Sequence, residues 1–142
     1  MIASHLDELV RFYESLTPES VDRLGDFYAT DAYFKDPFNE IRDRTALRRI
    51  LEHMFEQVDA PCFVITTALA QGAEAFLAWE FQFRTKGRLD AEQSIRGASH
   101  IKFAQDGRVS YHRDYWDAAE ELYEKLPVLG GLMRLLKRRA AA

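Results

Sequence analysis

One cysteine, four prolines and seven glycines are all that this chain of 142 residues carries of the types that staple, break or free a backbone. With Cys62 alone, no intrachain disulfide can form, and a reducing, cytoplasmic setting is expected. No apolar run reaches the roughly 18 residues needed to cross a bilayer, and no charged start followed by an apolar stretch marks a secretory leader. Secretion and membrane insertion are therefore not expected. Positive charge is short as well: 19 Lys and Arg stand against 23 Asp and Glu, a net charge of −4, and only the far C-terminal segment is basic. Binding a phosphate backbone needs an excess of cations on one face, so no nucleic-acid partner is expected. Internal repeats, low-complexity tracts and linkers are missing, and the length suits a single domain, 1–142.

What the chain has in quantity is apolar surface. Hydrophobic residues make up 47% and aromatics 13%, enough to require a large core or a pocket to receive them. Ile2, Leu6, Leu9, Val10, Tyr13 and Leu16 recur at three- and four-residue steps, which predicts a first amphipathic helix. Thr17-Pro18-Glu19 supplies a cap, a first-turn proline and an acid, predicting a second helix that carries Val21, Leu24, Phe27 and Tyr28. Residues 32–36 alternate as a short strand stopped by Pro37. A third helix over about 45–58 buries Leu47, Ile50, Leu51, Met54 and Phe55, with Pro61 as its far limit.

The period then changes to two. Four strands are predicted over about 62–70, 75–85, 92–104 and 108–116, separated by Gln71-Gly72, Lys86-Gly87 and Asp106-Gly107, and consecutive antiparallel pairing is the simplest topology. Gly97 within a strand predicts a bulge, a device that bends sheets. Asp117 can cap a short helix that Pro127 interrupts, and 128–139 is amphipathic, so 118–142 reads as a helical extension packed on the domain or across a dimer. The basic end of that segment also fits a membrane-surface helix, but its glycine pair weakens an isolated helix and packing is the preferred reading.

The order helix, helix, short strand ending in Asp-Pro, helix, four long strands resembles the nuclear-transport-factor-2-like superfamily, the cystatin-like α+β roll. Phe27-Tyr28-Ala29-Thr30-Asp31-Ala32-Tyr33-Phe34-Lys35-Asp36-Pro37 and Ser99-His100-Ile101-Lys102-Phe103 look like ketosteroid isomerase. Arg113-Asp114-Tyr115-Trp116-Asp117 looks like limonene epoxide hydrolase and SnoaL-like cyclases. The resemblance implies an α+β fold in which a curved antiparallel sheet wraps about three helices into a cone with an apolar pocket. It also implies a homodimer through the sheet face, although the fold hosts enzymes, binding modules and assembly domains alike.

Three residues are candidates for chemistry. Asp36 occupies the position of the isomerase's general base and shares a strand face with Phe34, so its carboxylate is expected at the rim of whatever cavity Phe34 lines; the alternative is a turn-capping carboxylate. Asp114 matches one catalytic carboxylate of the hydrolase. His100, on the preceding strand, could face Asp114 across the hairpin and act as an acid or base, or sit in a satisfied hydrogen bond.

The isomerase's oxyanion donors are replaced here: the helix tyrosine slot falls on Phe12, with Tyr13 about 100° around the helix, and the acid slot on Ser99. Where the hydrolase has its Arg-x-Asp, this chain reads Trp79-Glu80-Phe81-Gln82-Phe83, with the three aromatics sharing one face. Phe12, Tyr13, Phe34, Phe55, Trp79, Phe81, Phe83, Ser99, His112 and Trp116 are expected to line a site for an apolar small molecule.

No cofactor or metal is expected, because the four histidines show no ligand spacing, although His100, His112 and Asp114 could converge. Cys62 is expected to be a small buried hydrophobe. Proton transfer or water addition fits these side chains; a non-catalytic ligand-binding or dimeric interaction module is the alternative.

Overall fold

A computed structural model describes residues 2–86, 92–121, 135–136 and 138–140. Helix α1 (Ile2–Glu14) buries Leu6, Leu9, Phe12 and Tyr13 along one stripe, as its spacing predicts. After it, the Ser20 N–H donates to Thr17 Oγ1 at 3.0 Å and the Thr17 N–H to Ser20 Oγ at 2.8 Å, so Thr17 does open the next turn. The helix that follows is shorter than expected. A 3₁₀ turn (Ser20–Arg23) passes into α2 (Leu24–Phe27), and Tyr28 already belongs to strand β1 (Tyr28–Lys35). Tyr28 is drawn into the sheet because it pairs with Val109, a partner far along the chain that local spacing cannot reveal.

Helix α3 (Arg44–Gln57) is capped by Asp43, whose Oδ1 accepts the Thr45 N–H at 2.9 Å, and buries Leu47 and Leu51. Pro61 does not bound this helix at a distance. Strand β3 (Val58–Gln71) begins directly and runs through the proline. It can do so because β3 is an edge strand, where a missing N–H breaks no ladder, and because pairing jumps from Asp59 to Cys62, with Ala60 at a φ of 50°. Cys62 lies exposed on this edge, not buried as expected.

Strands β4 (Glu74–Thr85), β5 (Glu92–Phe103) and β6 (Val109–Tyr115) fall within one residue of their predicted bounds. Gly72 and Gly107 adopt the positive φ values, 60° and 86°, that their turns require; Gly87 lies outside the described residues. With the two-residue β2 (Glu40–Ile41), which the sequence did not announce, the strands form one curved, unclosed sheet in the order β2-β1-β6-β5-β4-β3. Every neighbouring pair is antiparallel except β1 and β6, which run parallel, so the sheet is not antiparallel throughout. The long excursion between them, through α3 and four strands, leaves either direction sterically open.

Gly97 makes no bulge. Pairing between β4 and β5 runs unbroken through Trp79–Gly97, and the glycine instead makes room for the indole: a Cβ there would lie 2.5 Å from the Trp79 ring. The irregular registers occur elsewhere, at Tyr28/Tyr33 of β1, at Asp59/Cys62 and Ile65/Thr67 of β3 and at Lys102/Phe103 of β5. Helices α1 and α3 cover the inner face of the sheet, and Glu14 at the end of α1 accepts the Ile65 N–H at 3.2 Å. Asp117 caps α4 (Ala118–Glu121), accepting the N–H groups of Ala119 and Glu120 at 3.0 and 3.2 Å. Residues 135–136 and 138–140 are helical and exposed; Pro127 and the glycine pair lie outside the described residues.

Candidate functional site

Between the two long helices and the inner sheet face lies a cavity of about 50 Å³. Phe34, Leu51, Phe63, Ile65 and Leu77 line one side, and Tyr13, Trp79, Ser99, His112 and Asp114 form a polar wall whose polar atoms turn mainly toward one another, so the surface facing the cavity is almost wholly apolar. That space holds a water or two and is far below the several hundred Å³ that enclose a drug-sized ligand.

The polar wall is one continuous hydrogen-bonded chain across five elements. The Trp79 Nε1–H donates to Ser99 Oγ at 2.8 Å, and the Ser99 hydroxyl donates to Asp114 Oδ1 at 2.5 Å. His112 Nε2 stands 2.6 Å from the same Oδ1, its Nδ1 stands 2.7 Å from the Tyr28 hydroxyl, and that hydroxyl lies 2.5 Å from the hydroxyl of Tyr13. Strand pairing sets these contacts. Ser99 is opposite Asp114 between β5 and β6, Phe34 is opposite His112 between β1 and β6, and the two-residue step along β6 puts His112 and Asp114 on one face.

Burial pushes the Tyr13 phenol above the usual tyrosine range; the hydrogen bond to Tyr28 opposes this and the Asp114 charge adds to it. Tyr28 is raised well above that range too, again chiefly by burial, with Tyr13 and Asp114 reinforcing it. Both tyrosines are therefore neutral hydroxyls at physiological pH.

Asp114 holds the key position. Its Oδ1 is fixed by Ser99 and His112, its Oδ2 has no hydrogen-bond partner among the described residues, and its side chain is 20% exposed. It also lines an open surface groove of about 560 Å³ together with Lys35, Asp36, Arg113 and Trp116, so this one residue borders both the inner cavity and the outside.

The remaining predicted residues are distributed as follows. Asp36 is half-buried in the outer groove and closes its own turn: Oδ1 accepts the N–H groups of Phe38 and Asn39 at 2.8 and 2.7 Å, and Asn39 Nδ2 reaches both oxygens at 3.1 and 3.2 Å. It does not line the cavity that Phe34 lines. His100 points to the opposite face of the sheet from Ser99, where its Nε2 meets Glu74 at 2.7 Å and its ring stacks on Phe76 at 4.5 Å, so the expected His100–Asp114 pair does not form.

Phe12 stacks on Phe27 at 4.5 Å within the helical layer, leaving Tyr13 to face the cavity. Phe55 packs against the core outside the cavity lining, and Phe81 and Phe83 continue the aromatic row along β4, ring on ring at 5.1 Å. Trp116 meets Phe38 edge-on at 5.6 Å over the surface groove. Among the described residues, no group of three or more His, Cys, Asp or Glu side chains could hold a metal ion, and no helix is long and apolar enough to cross a membrane. Sequence reasoning missed Tyr28. The two-residue spacing of Tyr28, Ala32 and Phe34, interrupted only at Thr30, was the available signal.

An α+β roll with a polar cluster buried at its narrow interior defines the class, and the chain belongs to the SnoaL-like domain family, which it matches over residues 9–112. Solved structures of similar shape include an epoxide hydrolase of the limonene-epoxide-hydrolase-like type from Mycobacterium tuberculosis (20% identical, 96% of this chain and 97% of that one, TM-score 0.70). Another is a candidate SnoaL-like polyketide cyclase from Shewanella putrefaciens (19%, 84% and 96%, TM-score 0.69). A third is a protein with a ketosteroid-isomerase-like fold from Catenulispora acidiphila, solved with trimethylamine (15%, 85% and 88%, TM-score 0.68). At these identities the likeness is one of fold. No curated protein matches the chain.

Proposed function

We propose that this protein is a cofactor-free acid–base catalyst that moves a proton on a small, mostly apolar molecule or on a water beside it, with Asp114 as the base. One observation carries this reading: a carboxylate with one oxygen locked by two donors and the other open, set where a buried apolar cavity meets a surface groove. Locking Oδ1 fixes the direction of Oδ2, which is what a general base needs before its basicity matters. Asp36 lacks that freedom, since its oxygens serve the turn at Pro37. His112 and Ser99 position the base, and the aromatic and aliphatic wall selects for an apolar substrate.

The test is a turnover screen on small ketones and epoxides, followed by two variants. Asp114→Asn is expected to lower the rate by about 10²–10⁴-fold, the usual contribution of a general base, while Asp36→Asn keeps it. Full activity in Asp114→Asn would sink the assignment. The replacement of the isomerase's two oxyanion donors, at Phe12 and Ser99, favours a second reading, a binding module without turnover, which predicts saturable ligand uptake by calorimetry and no product for any compound screened.

The sheet-face homodimer belongs to the same proposal. Phe76, 54% exposed, stacks on His100, whose ring meets Tyr111 edge-on at 5.3 Å, and Tyr111 stacks on Tyr33 at 5.0 Å, giving an aromatic row across the outer face. Phe76→Glu is expected to yield monomers in sedimentation equilibrium where the wild type sediments as a dimer.

A further inference from the structure

The buried chain of hydrogen bonds has a property that its members lack singly. Each hydroxyl in it owns one proton, and the carboxylate owns none, so the directions of the His112–Tyr28 and Tyr28–Tyr13 bonds follow from the state of His112. With a neutral imidazole, Nε2–H donates to Asp114, and Nδ1 is left with a lone pair. Tyr28 must then donate to Nδ1, which obliges it to accept from Tyr13. The Tyr13 proton is thereby committed, and the oxygen of this cavity-lining residue is left with lone pairs only.

Adding one proton to Nδ1 inverts this order. The new N–H donates to Tyr28, the Tyr28 hydroxyl turns to donate to Tyr13, and the Tyr13 hydroxyl proton is released into the cavity. Only one N–H bond is made, and each tyrosine keeps its own proton and rotates it.

We infer that Tyr13 is a proton-gated hydrogen-bond donor at the cavity wall, an acceptor while His112 is neutral and a donor once His112 is an imidazolium. The gate therefore selects ligands by chemical class. A hydroxyl or amine donor suits the first state, and a carbonyl or enolate oxygen the second. Geometry protects the device. The Tyr28 and His112 rings lie nearly parallel at 6.0 Å, and Phe34 meets the imidazole edge-on at 4.9 Å, which fixes the ring in place between its two partners.

The titratable groups facing His112 are Asp114 on its own strand, Tyr28 on β1 and Tyr13 on α1; β5 presents Ser99 and Ile101, and α3 presents Leu51. The Asp114 carboxylate is thus the counter-charge for the imidazolium. Burial holds both phenols protonated, so neither tyrosine leaves the chain by ionising. In catalysis the switch rests on the reading of Asp114 as base: an enolate formed by proton loss to Asp114 would find its donor in Tyr13. The switch itself needs no turnover.

The experiment is an NMR pH titration of the intact chain carrying ¹⁵N-histidine and ¹³Cζ-tyrosine. The neutral His112 is expected as the Nε2–H tautomer, and the Tyr13 Cζ resonance is expected to move with the His112 nitrogens at a common midpoint. Tyr28→Phe should stop the Tyr13 movement while His112 still titrates, and His112→Gln should leave Tyr13 without a pH response in that range. An Nδ1–H tautomer, a stationary Tyr13 resonance, or co-movement that persists in Tyr28→Phe would overturn the inference. The first two are read on the wild type alone, so the result stands even if a variant does not fold. Failure of Asp114→Asn to affect turnover would remove the catalytic use without touching these resonances.

Discussion

At position 97 a single missing methyl group sets the geometry of the polar wall. A Cβ on Gly97 would lie 2.5 Å from the Trp79 ring and 3.0 Å from the Tyr115 carbonyl oxygen, so Gly97→Ala must displace the indole whose Nε1–H holds Ser99. Overpacking of this kind costs about 1–3 kcal/mol, measurable as a lower urea midpoint at an unchanged denaturant slope. Tyr28 is equally exacting for the opposite reason. Tyr28→Phe removes the one hydroxyl between His112 Nδ1 and Tyr13, leaving two buried polar groups unpartnered, and is expected to destabilise the fold by about 1–3 kcal/mol. Much of the candidate site was legible at this scale. Asp114 and Ser99 were singled out by the resemblance to the hydrolase and the isomerase, and His112 and Trp79 by strand alternation. Which histidine joins Asp114 was not legible, because the choice depends on register. The irregularity at Lys102/Phe103 sets Ser99 opposite Asp114, and on a strand with a two-residue period one step sends His100 to the other face.

Elements were legible where local chemistry decides them and obscure where a distant partner does. The alternation and turn glycines of the last three strands predicted their bounds almost to the residue, whereas the start of β1 depends on Val109, and the start of β3 on an edge position that tolerates proline. Pro61 has a further role there. It interrupts the free backbone edge of β3 and, with the jump in pairing beside it, discourages a second strand from adding on. Pro61→Val is expected to leave the fold intact and to raise the rate of aggregation, followed by light scattering on heating. The turn after β1 has an equally local basis. Asp36→Ala removes the acceptor for both backbone N–H groups and for the Asn39 amide, and should lower stability by about 1–2 kcal/mol.

For the whole molecule, the buried tyrosine pair sets the alkaline limit. Tyr13 and Tyr28 hold their protons more tightly when folded than when unfolded. Below about pH 10 both states are protonated and stability does not depend on them; above it the unfolded chain ionises while the folded chain cannot, so stability falls as pH rises. Urea midpoints measured between about pH 8 and about pH 11 in wild type and in Tyr13→Phe should show that decline weakened in the variant.

The parallel seam between β1 and β6 governs the order of assembly. Tyr13 and Tyr28 lie on one side of it in the chain, and Ser99, His112 and Asp114 on the other. Closing so long a loop is entropically slow, so the seam should zip after the β3–β6 meander has formed. A ribosome-bound chain that has emerged only as far as β5 would carry the hydroxyl half of the relay with neither imidazole nor acid to meet it, and chemical competence would arrive in one step, with the last strand.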